Sequence, residues 1–320
     1  MAERRNAAPG LIDGLTADLG GPRTSALLGR LEAAVPWEEL AKPVRRVYKP
    51  GKAGRPAWPV VLMLKSLMLA KWFNLSDPQL EECLQDRLSF RRFVGLSLTD
   101  TTPDETTFVV FRRRLREAGL QDILFDRVLK HIDRQGLLVR DGTLVDATII
   151  DAPRGQKRTD GTSTRDEDAS FTRKAGATRF GYKAHIAVDT SGIVTDYRVT
   201  TAKTHDIRCI DELTKNERKA VIADSGYMSR ERQRAYHERG VLYAVVYRRR
   251  RDQKELDEWQ QRWNALIAKL RARVEHPFAM LKQQCGYRRT RYRGRERNAF
   301  DLCMTLIACN IKRSLSLRPT

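Results

Sequence analysis

The sequence predicts an α/β protein, a sheet-containing core preceded by a small all-α domain. Three observations carry this. From Trp58 to Phe73 the chain is apolar on nearly every side, as in the central helix of a small bundle. At Gly136 the texture changes, and β-branched, strand-like runs alternate with helical patterns from there on. Within that second part three acidic residues, Asp146, Asp224 and Glu275, fall on three separate elements.

Length and charge set the frame. At 320 residues there is room for one larger and one smaller domain. Sixty Lys plus Arg against forty Asp plus Glu give a net charge of +20, which suits a polyanionic partner, either nucleic acid or an anionic membrane surface. No segment reaches the ~18 unbroken apolar residues of a membrane span. Met1-Ala2-Glu3-Arg4-Arg5 is not followed by a secretory apolar core, so an intracellular protein without a membrane partner is expected. The five cysteines never occur as C-x2-C, and four sit among apolar helical residues, which reads as buried thiols.

Taken in order, residues 1–55 are mixed; short helices fit Ser25 to Leu40, and no function is assigned. Residues 56–135 form the helical domain. After Trp58–Phe73, a second helix is expected at Pro78 with Asp77 as N-cap. A third is expected at Pro103, where Thr102-Pro-Asp-Glu105 spells a capping box. That third helix turns Phe108, Phe111 and Leu115 inward and carries Arg112, Arg113, Arg114 and Arg116 around the rest, like the reader of a helix-turn-helix DNA-binding domain. A solvated basic helix would show the same pattern.

Residues 136–320 make up the sheet-containing domain. Leu137 to Ile150 reads as a strand with Asp146 in its middle, where aspartate is depleted unless a metal, an arginine or backbone donors compensate. A polar loop at 152–180 follows. Gly181–Asp189 and Ile193–Thr200 read as a hairpin in which Asp189 serves the turn. Lys219 to Asp224 is a strand ending on a carboxylate before Ser225-Gly226-Tyr227, and strand ends are where ligands gather in such sheets. A long helix from about Trp259 to Cys285 carries an apolar stripe, Trp263, Leu266, Ile267, Leu270, Val274, Phe278, Leu281 and Cys285. Arg271, Glu275 and Lys282 lie on one flank of it. Pro277 should bend this helix between Arg273 and Pro277 without breaking it, because the stripe keeps its phase. Six arginines in ten residues, Arg288, Arg289, Arg291, Arg293, Arg295 and Arg297, follow with Tyr287 and Tyr292 interleaved, a pattern for gripping a phosphate backbone. A nearly all-apolar helix closes the chain from Ala299 to Ile311.

Three carboxylates on three elements suit hard divalent cations, and two Mg²⁺ ions there could clamp a phosphodiester. Bound cations would also keep crowded carboxylates ionised. His205, beside Asp206, reads as a capping or core histidine before a phosphate ligand. His276 points about 100° away from Glu275 around the helix. No nucleotide-binding, serine-hydrolase or zinc-protease motif occurs.

At these residues the chain resembles the DDE transposases of bacterial insertion sequences. The segments that carry the likeness are Thr143-Leu-Val-Asp146-Ala-Thr, Gly181-Tyr-Lys-Ala-His-Ile-Ala-Val-Asp189, Ala223-Asp224-Ser-Gly-Tyr and Arg273-Val-Glu275-His-Pro-Phe-x3-Lys282. Arg271, Glu275 and Lys282 match the Y-x2-R-x3-E-x6-K signature of a large group in that family, with Ala268 where the tyrosine would stand. The resemblance implies an α/β/α ribonuclease-H-like core with a mixed sheet. Asp146, Asp224 and Glu275 would be the catalytic, metal-holding triad, with two Mg²⁺ ions, Mn²⁺ substituting. Arg271 and Lys282 would join the arginines as DNA-binding residues. It further implies cleavage at transposon ends and 3′-hydroxyl strand transfer into target DNA, double-stranded DNA as partner, a homodimer or higher oligomer on that DNA, and a place in the bacterial cytoplasm at the nucleoid. Residues alone support Mg²⁺-dependent phosphodiester chemistry, so an endonuclease without strand transfer is the alternative, and a non-catalytic DNA-binding protein is a third reading.

Overall fold

Strand β1 (Thr143–Asp151) is the axis of the sheet-containing half, with a partner on each side. The computed structural model describes residues 23–48, 56–156, 159, 163–174, 176–249 and 253–318, with side chains at all of these except 174 and 273–276. The first 22 residues of the N-terminal segment, and Arg250 and Arg251 of the basic run Arg248–Arg251 that precedes the long helix, therefore lie outside the described residues. The chain divides into two compact units: Ile132–Leu302, and Met1–His131 together with Cys303–Thr320. Residues 303–318 thus group with the helices.

In the helical unit, α1 (Arg23–Ala34) and α2 (Trp37–Val47) precede α3 (Val60–Trp72). Helix α3 is the expected central helix, since every residue but Val61 and Lys71 is buried. Lys65 is tolerated there because its ammonium pairs with Glu32 at 2.7 Å and stands 5.3 Å from the Phe93 ring. The indole N–H of Trp72 donates to the Ala308 carbonyl at 2.9 Å, tying in the C-terminal tail.

Helices α4 (Asp77–Asp86), α5 (Leu88–Val94) and α6 (Glu105–Glu117) follow. The N-cap of α4 is Ser76, not Asp77, because Ser76 and Gln79 close a reciprocal capping box. Helix α6 begins two residues later than Pro103, since the Asp104 carboxylate accepts from Thr107 N at 2.7 Å. Short α5, a helix the sequence pattern does not separate from α4, ends on left-handed Gly95. Buried Arg91 then holds the α5–α6 connection by donating to the carbonyls of Leu84, Ser97, Leu98 and Asp100. Helix α7 (Leu120–Arg134) leads on.

The second unit is built on a mixed sheet, as the ribonuclease-H-like expectation requires. β3 (Ala177–Asp189) runs antiparallel to β1 along its whole length, and β4 (Val194–Thr201) returns antiparallel to β3. On the other side β5 (Ala220–Ala223) lies parallel to β1 and β6 (Leu242–Val245) parallel to β5. The hairpin is the one expected. Asp189, 2% exposed, holds its turn by accepting from Ser191 N and Ile193 N, and also receives Val139 N. The polar stretch at 152–180 is not all loop, because β2 (Ser170–Lys174) pairs with the first part of β3. Glycine is required at 181, where a Cβ would lie 2.0 Å from the Ile150 carbonyl oxygen.

Residues alternating along β1 face opposite sides. Val145 joins an apolar cluster with Val221, Ala223, Ile210, Tyr227 and Tyr236, so helices α8 (Ile210–Leu213) and α9 (Arg230–Glu238) cover that face. Asp146 belongs to the other face. There α10 (Glu258–Ala279) packs against β1 and β5, and the Trp263 indole N–H donates to Val245 O at 3.1 Å.

Helix α10 passes through Pro277 without a break, as expected. The irregularity comes after the proline, as a π-helical turn over Met280–Gln284 closed by Cys285 N to Met280 O at 3.0 Å. The stripe is narrower than expected, for Ile267 is 1% exposed but Leu266 is 56% exposed. After the turn, α11 (Arg295–Leu317) ends the chain.

Candidate active site

The parallel pairing of β1 and β5 runs Thr143 with Val221, Leu144 with Ile222 and Val145 with Ala223. One step further along this register stand Asp146 and Asp224, on neighbouring strands about 4.8 Å apart and on the same face. Asp224 keeps an extended backbone (φ −72°, ψ 163°) and ends the strand by capping a single 3₁₀ turn, Ser225–Tyr227, its carboxylate accepting from Ser225 N at 2.6 Å. Asp146 accepts from Ala147 N at 2.7 Å. These local bonds leave acceptor positions on both carboxylates directed to partners outside their own strands.

Arg271 of α10 reaches both. Its guanidinium lies 4.0 Å from Asp146 Oδ2 and 3.6 Å from Asp224 Oδ1, and its buried Nε has no hydrogen-bond partner among the described residues. Strand middle, strand end and helix therefore converge on one point. Glu275 stands one helical turn beyond Arg271 on the same helix, about 6 Å along the axis; its side chain lies outside the described residues. The donor set, oxygen ligands of two partly exposed carboxylates with the Arg271 guanidinium 3.6 to 4.0 Å away, suits a hard divalent ion. Lys282 falls within the π-helical turn, and its ammonium stands 5.9 Å from the Phe278 ring. Among the described residues no group of three His, Cys, Asp or Glu is arranged to hold a metal, and Glu275 is not among those side chains.

One feature of this site, and one on the opposite face of the sheet, do not stand out in the sequence. Arg248 Nε donates to Ser225 Oγ at 2.5 Å, and that hydroxyl donates to Asp224 at 3.1 Å, which puts a cation beside the strand end. Its signal was the basic run after β6. On the far face of the sheet, His185 is fully buried beside Ala147 in register. Its Nε2 contacts Thr200 Oγ1 at 2.9 Å, and its Nδ1 lies 4.0 Å from Asp206, which pairs with Lys183 at 2.8 Å. Burial, with Lys183 adding to it and Asp206 opposing, lowers the imidazole pKa from 6.5 to about 4, so His185 is neutral at ordinary pH. Tyr227 is likewise buried, and burial together with the charges of Asp206 and Asp146 raises its phenol pKa. His205 is exposed and precedes the 3₁₀ turn Asp206–Arg208.

The arginine run lies against the end of β1. Asp151 N donates to Arg288 O at 3.2 Å, Thr290 N donates to Asp151 O at 2.8 Å, and all six arginines of the run are exposed. Tyr287 is not on that surface. It is 3% exposed, its hydroxyl donates to Asn298 O at 2.9 Å, and burial drives its pKa well up. The arginines of α6 are placed differently. Arg112 forms a two-pronged ion pair with Asp77, Arg114 lies 5.2 Å from the Tyr48 ring, Arg116 is 3.9 Å from Glu117, and Arg113 is exposed.

Residues 138–311 match a family model described as "Transposase DDE domain", and residues 21–114 match one described as "Transposase domain (DUF772)". Among solved structures, the one titled "Crystal structure of the Mos1 Strand Transfer Complex" aligns over 80% of this chain and 96% of its own at 12% identity, with a TM-score of 0.21. Among the described residues no helix is long and apolar enough to cross a membrane.

Proposed function

The chain belongs to the transposase DDE-domain family, and on that premise we propose that it cuts DNA at the ends of a mobile element and joins the freed 3′-hydroxyls to target DNA. The observation that carries this is the convergence of Asp146, Asp224 and Arg271 from two adjacent strands and a packed helix. Asp146, Asp224 and Glu275 would hold two Mg²⁺ ions, or Mn²⁺ in their place, which supply Lewis acidity to a phosphodiester and lower the pKa of an attacking hydroxyl or water.

The chain's own groups do the rest. Asp146 and Asp224 are aimed at one point by strand register, so little side-chain freedom is lost when a cation is gripped. Arg271 offsets their mutual repulsion and stands where a phosphate oxygen would come within reach, and Arg248 adds positive charge beyond Asp224. The exposed arginines 288–297 hold the backbone of duplex DNA along the end of β1, and exposed Arg113 of α6 offers a second contact. A homodimer on the DNA pairs two ends.

The test is product analysis. Purified protein, end-bearing duplex and Mg²⁺ or Mn²⁺ should yield joined molecules in which the element's 3′ ends are linked to target DNA. Cut ends without joined products would reduce the protein to an endonuclease, and binding without cutting would remove the catalytic reading.

A further inference from the structure

The segment carrying the six arginines is fastened at both ends through its main chain. At its start, Arg288 and Thr290 bond to the main chain of Asp151, and the buried Tyr287 hydroxyl reaches Asn298 O at 2.9 Å. In its middle, Asn298 Nδ2 donates to both Tyr292 O and Gly294 O at 2.9 Å. At its end two carboxylates from the polar stretch before β2 take over. Asp166, 8% exposed, accepts from Gly294 N at 3.0 Å and from the Tyr182 hydroxyl at 2.7 Å, while Asp168 accepts from Arg295 N at 2.8 Å. Arg295 opens α11, so Asp168 supplies a distant N-cap, and Gly294 takes the left-handed φ of +89° that the turn needs.

We infer that Asp166 and Asp168 form a clasp that fixes residues 287–297 as a preformed strap for the phosphate backbone of DNA. Both carboxylates accept from main-chain N–H groups of the strap, and Asp166 also from a phenol, so they shape the strap while its six guanidiniums stay at the surface. A rigid strap binds with less loss of conformational freedom than a loose one. Asp166 and Asp168 are positioning residues, and the inference rests on the strap being a DNA contact.

Charge and positioning predict opposite signs, which makes the clasp testable. Asp166→Ala with Asp168→Ala removes two negative charges from beside a DNA-binding surface, so a pure charge effect tightens binding. The clasp instead predicts roughly tenfold weaker duplex binding. The slope of log K against log salt should become shallower by ~1. Both would be read by fluorescence anisotropy on the full chain. Asp166→Asn with Asp168→Asn keeps the acceptor oxygens and should bind at least as tightly as the parent. Amide exchange at Gly294 and Arg295 should accelerate in the alanine pair and not in the asparagine pair. Should buried Asp166 prove essential for folding, Asp168→Ala alone, at an exposed position, should show the same signs in smaller measure. Alanine variants that fold and bind as tightly as the parent or tighter, at unchanged slope, overturn the clasp. Arg288→Gln, Arg291→Gln and Arg293→Gln together separate the two readings. If this triple variant leaves the slope unchanged, the strap itself is not a DNA contact; if it flattens the slope while the alanine pair does nothing, only the clasp fails.

Discussion

Helix α6 and the strap at 287–297 each carry a cluster of arginines, and in sequence they invite the same assignment. In the folded protein they differ in what the neighbouring acids bind. On α6, Asp77 takes the Arg112 guanidinium itself in a two-pronged pair. On the strap, Asp166 and Asp168 take main-chain N–H groups. The first arrangement uses charge to hold two helices together, and the second uses charge to hold a backbone shape. A run of arginines therefore does not identify a nucleic-acid surface until the position of its carboxylates is known.

The pH response belongs to His185. Its folded pKa of about 4 lies below the ordinary 6.5, so unfolding takes up a proton in the window between them. The stability it contributes is complete above pH 6.5 and is lost as pH falls through 4, on the order of 3 kcal/mol in all. Denaturant melts across this range should show the loss, and a His185→Gln variant should show a flatter acid limb.

Next in size is the strap. Replacing Arg288, Arg291 and Arg293 by glutamine should flatten the salt slope by ~2 to 3. Stability should move by less than about 0.5 kcal/mol, because exposed side chains are being exchanged. Arg112→Ala should do the reverse. It leaves part-buried Asp77 without its partner and should cost about 1 to 2 kcal/mol of stability, discounted from a fully buried pair, with little change in salt slope. If Arg112→Ala flattened the slope as strongly as the strap variant, the contrast between the two regions would collapse. The smallest effect is expected for Arg113→Gln, one exposed residue on α6, with a slope change of at most ~1.

The carboxylate pair was legible because aspartate inside a strand is costly enough to stand out, as at Asp146, and because a strand ending on Asp224 before a glycine turn marks a sheet edge. Helical continuity through Pro277 was legible from the phase of the apolar positions. The π-helical turn after it was not, since an extra residue per turn leaves no compositional trace. Strand β2 was hidden because Ser170–Lys174 lacks apolar alternation and forms by pairing with β3. Tyr287 was misread as a surface aromatic because burial depends on which side of the strap the ring packs, and Leu266 was misread as core because α10 is covered on one narrow side. His185 does not stand out on β3, where it sits between Ala184 and Ile186. Its role emerges only when Asp206, 21 residues on in sequence, folds against it.

The central claim is that Asp146, Asp224 and Glu275 serve the chemistry while the arginines serve binding. It is tested most directly by assaying Asp146→Ala, Asp224→Ala and Glu275→Ala side by side for cutting and joining of end-bearing DNA with Mg²⁺ or Mn²⁺, and for binding of the same DNA. Each variant should lose both reactions and keep nearly full binding, and metal-dependent cutting that persists above a trace in the Asp224→Ala protein would contradict that division of labour.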